Sequence, residues 1–487
     1  MNFVALKDKS WKGLGVILGL VAYAGFIVSQ SLNAPFAYGY GWPDSGVFLY
    51  MAKIICEGGT PYVDLFDHKG PVLYFINAIG YVINSHWGIW LVEWIFVFVS
   101  MYVAYRMMQK VQGGIAAFVA ILVSFAYLMP NYTMGNYTEE YAVLFQIIAL
   151  YYFAEYFGEK GALSRKGILL IGITFALVIL MRPNLVFGWI PFCAYIFIDS
   201  LLKKKYKEVL DYIIYFLIGI AVVMIPVLLY LGIKGAIPQF IADYLTYNLE
   251  YSGRNEDLAL FSSISFFANS QIVKLTFLLG AIELVYLFAT KKNNHLTLYV
   301  VNYIAFVLGF VIVVMPGNQY NHYAMCLIPH MLLVFGAAFE FLVGLIKEKQ
   351  YAIVAFLCFL YVGGQVLYPM WISHIDTTVA HATSFIGYNA DLIEYIKFTT
   401  EEDDTILVTG EIDCWIHNFT ERKAPTRYAY RPTPMTDKMQ EEFFSDIRTN
   451  KPELIITADQ SIDVLQVVGS DYEFEIQIGN RFLYRRK

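Results

Sequence analysis

Asp44 stands in the run Trp42-Pro43-Asp44-Ser45, and Asp64, Asp67, His68, Lys69, Gly70 and Pro71 follow within one short stretch. A carboxylate can take a proton from a hydroxyl, and a lysine can hold a phosphate. Those are the two groups needed to move a sugar off a lipid phosphate. The pair follows the first long apolar run, and charge at a bilayer edge is costly to organise and tends to mark function. Plain structural readings stand beside these. Asp44 precedes the helical pattern Val47 to Ile55 and suits a helix N-cap. Asp64, Asp67, His68 and Lys69 could neutralise one another in a solvated loop. Pro71 suits the first turn of a helix and aims Lys69 along the membrane surface.

Other polar groups gather at span ends. Glu139 and Glu140 close the run Asn131 to Glu140, either as helix-start charges or as a second carboxylate for sugar, acceptor or metal. Arg182 precedes Pro183-Asn184, where it either snorkels to headgroups or meets a phosphate. Asn321, His322 and Tyr323 open a later span and suit sugar hydroxyls or a lipid phosphate. Tyr247 to Asp257 lies in a long loop and reads as plain loop or as a lid. No GxSxG elbow, HExxH or P-loop is present.

The elements that must carry these groups are membrane helices. The 487 residues are 58% hydrophobic and only 15% charged, against about 25% charged in soluble domains. Apolar runs predict about eleven spans, at roughly 13–33, 88–107, 114–130, 139–157, 167–182, 185–202, 210–232, 272–290, 296–315, 322–345 and 351–371. The segment 71–86 is too short to cross and reads as an interfacial helix, its apolar face formed by Val72, Phe75, Ile76, Ile79, Val82 and Ile83, with Asn77 and Gly80 off it. Lys and Arg then collect on one side, as in Lys7 to Lys12, Arg106, Lys110, Arg165, Lys203 to Lys207, Lys291 and Lys347. That bias predicts a multi-pass cell-membrane protein with a cytoplasmic amino terminus and an external first loop, 34–87. The first apolar run lacks a cleavage site and reads as an anchor. No basic domain supports nucleic-acid binding. Five scattered cysteines form no metal spacing.

Composition shifts near 372, which divides the chain into a membrane domain, 1–371, and an extracytoplasmic α/β domain, 372–487. Helices are predicted at Asp391 to Phe398 and Asp437 to Arg448. Strands are predicted at Ile406 to Thr409 and Leu454 to Thr457, with a hairpin formed by Tyr472 to Ile478 and Phe482 to Tyr484. Thr409-Gly410-Glu411 is no nucleotide fingerprint.

Pro43-Asp44-Ser45, Gly58 to Asp64 and Phe66 to Pro71 resemble the first external loop of GT-C glycosyltransferases. The similarity is to bacterial enzymes related to protein O-mannosyltransferases and the lipid A aminoarabinose transferase, over roughly 10–370. It implies an α-helical polytopic fold, an external site, a polyprenyl-phosphate (undecaprenyl-phosphate) sugar donor and inversion at the anomeric carbon. By the same resemblance Asp44 is the catalytic carboxylate and Lys69 the phosphate ligand, while Glu139 or Glu140 is the acid of the fourth span. Two departures stand out: Ser45 where many relatives carry an acid, and Asn321-His322 where they carry a basic residue. No cofactor is required by this reading, and a divalent metal ion stays open. The expected partners are the lipid-linked donor, an envelope glycan or glycolipid acceptor, and membrane lipid. A transporter or flippase of lipid-linked sugars and an envelope polymerase or ligase remain as alternatives.

Overall fold

The computed structural model describes residues 11–37, 43–132, 134–158, 161–252, 257–290, 295–347, 352–383, 390–410, 414–458 and 462–487. The chain opens with α1 (Trp11–Val28), α2 (Pro43–Cys56), α3 (Pro71–Ile83), α4 (Gly88–Val111), α5 (Gly114–Ala126) and α6 (Leu128–Tyr132). It continues with α7 (Thr138–Tyr156), α8 (Arg165–Ile179), α9 (Trp189–Leu202) and α10 (Tyr206–Ile233). Further helices run over Gln271–Thr290, Leu296–Val314, Ile328–Lys347 and Ala352–Tyr361.

Eight helical stretches among the described residues are long and apolar enough to cross a membrane: Gly88–Val111, Gly114–Tyr132, Pro183–Leu202, Tyr206–Ile233, Gln271–Ala289, Leu296–Val314, Asn321–Ile346 and Ala352–Thr383. Helices also occupy the other three predicted positions. There α8 has only 15 residues, α7 carries Glu139, Glu140 and Glu155, and Gly13–Val28 is a shorter apolar helix. The lipid-facing character of α10 is direct: Leu210, Leu217, Val222, Ile225 and Leu229 are all exposed, and only a hydrocarbon surrounding suits such a surface. Its inner side packs on α8 through Gly172 and Gly219. A Cβ on either would stand 2.3 Å from a carbonyl oxygen of the facing helix, so only glycine lets the two backbones approach.

One sequence expectation is corrected. The last span does not stop at 371: helix continues over Tyr368–Thr383. Its two histidines reach α1 and the turn after it, with His374 Nε2 2.6 Å from the Phe26 carbonyl and His381 Nδ1 2.7 Å from that of Gln30. The short helix α3 forms as expected, with Pro71 in its first turn, and much of its apolar stripe stays on the outside. Val72, Leu73, Ile76, Asn77 and Gly80 point inward, whereas Ile79, Val82 and Ile83 are exposed. A helix at a lipid boundary can leave its apolar residues outside and turn its polar one into a hydrogen-bonded core.

The tail folds as a small α/β unit. Strands β1 (Ile406–Thr409), β2 (Leu454–Thr457), β3 (Tyr472–Ile478) and β4 (Arg481–Arg486) form one sheet in the order β1-β2-β4-β3. The parallel pair β1/β2 needs a crossover, and helix Asp437–Asn450 lies within it, capped by Thr436. Gly479, at a φ of +58°, turns the β3–β4 hairpin. Ile406, Val408, Leu454, Ile456 and Leu483 pack against Leu392 and Ile396 of helix Ala390–Thr399.

This unit is docked on the first loop. Phe66 N–H donates to the Arg427 carbonyl at 2.7 Å, and Asn418 Nδ2 to the Gly46 carbonyl at 3.0 Å. Arg427 Nη2 lies 2.8 Å from both carboxylate oxygens of Asp243, and the side chains of the pair are 12% and 6% exposed. Removing one partner of such a buried pair strands the other charge. Arg427→Met is therefore expected to lower stability by about 3 kcal/mol. Pairing it with Asp243→Leu should recover much of that loss in thermal unfolding of the detergent-solubilised protein; a double variant as weak as the single would contradict the stranded-charge account.

Candidate active site

Helix α2 starts at Pro43, so Asp44 sits inside its first turn rather than capping it. The open amides of that turn make it a favourable place for an anion. Ser45 is fully buried and turned away from solvent. Its hydroxyl donates to Asn33 Oδ1 at 3.3 Å and accepts from Asn136 Nδ2 at 2.9 Å. The same amide reaches Asn77 Oδ1 at 2.8 Å, and Tyr141 donates to Asn136 Oδ1 at 2.8 Å. Asp44 thus stands at the end of a helix pinned to α3 and α7.

The lysine is placed by backbone. Gly70 N–H donates to the Met181 carbonyl at 3.0 Å, and Val72 N–H to that of Leu180 at 3.1 Å. This seam lays Lys69 next to Arg182 in space. Tyr62 and Tyr74 hydroxyls hold the Lys69 carbonyl at 2.8 and 3.0 Å. Arg182 pairs with Glu139 and lies 4.2 Å over the Tyr323 ring. Lys69 Nζ is 2.8 Å from His68 Nε2.

These groups line one cavity of about 560 Å³, which brings together Asp44, Asp67, His68, Lys69, Glu139, Arg182, His322 and Tyr323. Three other sequence candidates lie off its lining. Asp64 closes its own loop by accepting from Thr60 N–H at 2.7 Å. Glu140 is buried and accepts from the Tyr132 hydroxyl at 3.1 Å. Asn321 turns toward the Pro130 carbonyl.

Aromatic rings make up half of the remaining wall. His322 stacks on Tyr137 with centroids 4.3 Å apart, and Tyr320 lies 5.8 Å away on a near-parallel plane. Such faces suit the C–H edges of a sugar. The segment read as plain loop or lid begins as helix over Tyr247–Ser252, and it contributes Tyr247 to the lining and Asn248, which donates to the His68 carbonyl at 2.7 Å. Gly253 to Glu256 and Trp42 lie outside the described residues.

Asp67 is 2% exposed and accepts from Tyr74 at 2.8 Å, Tyr430 at 3.0 Å and His68 N–H at 2.8 Å. Burial pushes its carboxyl above the usual range, while Lys69 and these donors pull it back. Burial, then Lys69 and Arg182, hold the His68 imidazole well below its ordinary range. A neutral ring can accept from Lys69 at Nε2 and carry its proton at Nδ1, which lies 3.5 Å from Asp67 Oδ1.

Sequence reasoning missed the tail. Tyr430, Pro432 and Thr433 line the cavity, far from any membrane motif. The run Arg427-Tyr428-Ala429-Tyr430-Arg431-Pro432, rich in rings and cations yet outside the sheet, was the one signal. Glu139 is paired with Arg182, Ser45 is buried among amides, and no group of three or more His, Cys, Asp or Glu converges among the described residues.

A polytopic helical bundle with a first-loop helix, a short boundary helix and a docked α/β tail around one polar cavity is a GT-C-like fold, as the first-loop motif led one to expect. The chain belongs to the family described as "Putative competence-induced protein Ccs4 N-terminal domain", whose profile matches residues 16–370. No curated protein matches in sequence. Among solved structures, ArnT from Cupriavidus metallidurans bound to undecaprenyl phosphate superposes with a TM-score of 0.65 at 11% identity, covering 98% of each chain. The apo form of that protein gives 0.63 at 12% identity, over 97% of this chain and 98% of that one. The oligosaccharyltransferase AglB from Archaeoglobus fulgidus, in complex with an inhibitory peptide and a dolichol-phosphate, gives 0.52 at 11% identity, over 98% of this chain and 74% of that one.

Proposed function

We propose that this protein is an inverting glycosyltransferase that moves a sugar from a polyprenyl phosphate to a hydroxyl of an envelope glycan or glycolipid on the outer face of the membrane. The observation that carries the reading is the sharing of one cavity by Asp44, Lys69 and Arg182. Two solved neighbours of the same fold are described with undecaprenyl phosphate and dolichol-phosphate, which favours a lipid phosphate as the donor's carrier.

In this reading Asp44 accepts the acceptor's hydroxyl proton as that oxygen bonds to the anomeric carbon. The bond from that carbon to the phosphate oxygen breaks, and the lipid phosphate leaves with the electron pair. Lys69 and Arg182 stabilise the charge that grows there. A cation about 4 Å from a phosphate charge gains ~4 kcal/mol at an effective dielectric near 20, and only the part that grows in the transition state speeds the step. Rings such as Tyr137 and His322 hold the sugar. The tail roofs the cavity from outside, consistent with the cation bias of the loops.

The test is to incubate the purified protein with a panel of polyprenyl-phosphate sugars and envelope acceptors and to seek the glycoside by mass spectrometry. Lys69→Ala should weaken donor use about tenfold or more and change the acceptor's KM little. Equal effects on both would remove the phosphate role. Movement of the lipid-linked sugar across vesicles without glycoside formation would replace the enzyme by a flippase.

A further inference from the structure

Lysine has a long, freely turning side chain, so a phosphate-binding lysine works well only if something aims it. Here the aiming groups form a chain of contacts. Tyr430 of the tail and Tyr74 of α3 donate to Asp67. Asp67 faces His68 Nδ1, and His68 Nε2 receives Lys69 Nζ at 2.8 Å. The Tyr247 ring packs on the imidazole at 5.6 Å, and Tyr247 is itself tied to the tail through the Pro434 carbonyl at 3.1 Å.

We propose that His68 and Tyr430 are positioning residues that aim Lys69 at a lipid phosphate, so that docking of the tail sets donor affinity. The proposal rests on the phosphate role given to Lys69 above. The imidazole must be neutral to do this, because a protonated ring has no lone pair for the ammonium and repels it. Among the described residues, the charged groups around it bear on that state: Asp67 and Lys69 on its own loop, Arg182 beside the seam, and Asp44 of α2 and Glu139 of α7 on the same cavity. Asp67 favours the imidazolium, whereas burial and the two cations oppose it more strongly. The anchor is therefore complete at neutral pH, persists through the ordinary histidine range near ~6.5, and is lost only as acidity reaches the lowered range of this buried ring.

The full-length protein in lipid nanodiscs, titrated with sugar-free undecaprenyl phosphate, tests this. At neutral pH, His68→Ala is expected to weaken binding about tenfold. His68→Gln keeps an acceptor where Nε2 stood and should stay within about threefold of wild type. Wild-type affinity should fall with acidity more steeply than that of the Gln variant, since phosphate protonation is common to both. Tyr430→Phe should weaken binding several-fold with an unchanged thermal midpoint. A second readout needs no donor: acylation of Lys69 by a small amine reagent, mapped by mass spectrometry. It should be faster in His68→Ala than in wild type and near wild type in His68→Gln. Gln behaving like Ala in both readouts, or Ala like wild type in either, overturns the anchor. If acylation follows the expected order but no variant, wild type included, binds the lipid phosphate, the phosphate role fails and this proposal falls with it. Should the His68 variants not fold, Tyr430→Phe with unchanged affinity is enough to reject control by the tail.

Discussion

Asp44→Asn is expected to lower sugar transfer by about 10³-fold, within the range a positioned general base supplies, while the protein still folds and still binds its donor. The substitution keeps the side chain's size and removes only its basicity. The helix start it occupies does not depend on that carboxylate, because α2 is fixed by Ser45 through Asn33 and Asn136 and by Asn418 at the Gly46 carbonyl. The thermal midpoint should therefore stay close to wild type. Binding of a polyprenyl phosphate should hold or tighten slightly, since Lys69 and Arg182 remain and a nearby negative charge is gone. The loss should fall on kcat, as expected for an interaction made only in the transition state. Transfer at the wild-type rate would leave the cavity without a base and end the proposed mechanism.

The membrane architecture was legible because hydrocarbon leaves the sequence few choices. A span must be long, apolar and helical, and a helix occupies most of each of the eleven predicted stretches. The tail's strands were legible for a related reason: Ile406 to Thr409 and Leu454 to Thr457 are short apolar runs buried on both faces. Side-chain direction was harder to read. On α3 the apolar stripe marked the lipid side, and the inward face was chosen by Asn77, whose partners at 73 and 136 no local pattern reveals. At the site, charge at span ends picked out Asp44, Lys69 and Arg182, but it could not separate Glu139, paired with Arg182, from its neighbour Glu140, committed to Tyr132. Adjacent residues on a helix point about 100° apart, and only the packing says which one faces the cavity. The contribution of Tyr430, Pro432 and Thr433 depends on how the tail docks, a long-range event carried by Arg427, Asp243 and Phe66.

The seam between residues 70–72 and 180–181 gives the other large effect. Gly70→Ala is expected to cut donor binding about 100-fold, the scale of loss that a 1 Å misplacement can cause. A Cβ at this position would lie 2.0 Å from the Leu180 carbonyl oxygen, 2.3 Å from its carbon and 2.8 Å from the Met181 nitrogen. All three are backbone atoms, so no rotamer change relieves the contact and the strands of the seam must part. Parting them breaks the hydrogen bonds from Gly70 and Val72 and moves Lys69 away from Arg182, splitting the pair of cations on which the leaving phosphate depends. Gly363→Ala, which has nothing within 4 Å of the added carbon, is the matched control and should bind like wild type. Titration with undecaprenyl phosphate alongside thermal unfolding separates the two consequences of Gly70→Ala. A midpoint lowered by a few degrees with affinity intact would show that the seam serves the fold alone. Loss of affinity larger than that of Lys69→Ala would show that both cations are displaced together, as one backbone contact shared by two distant segments requires.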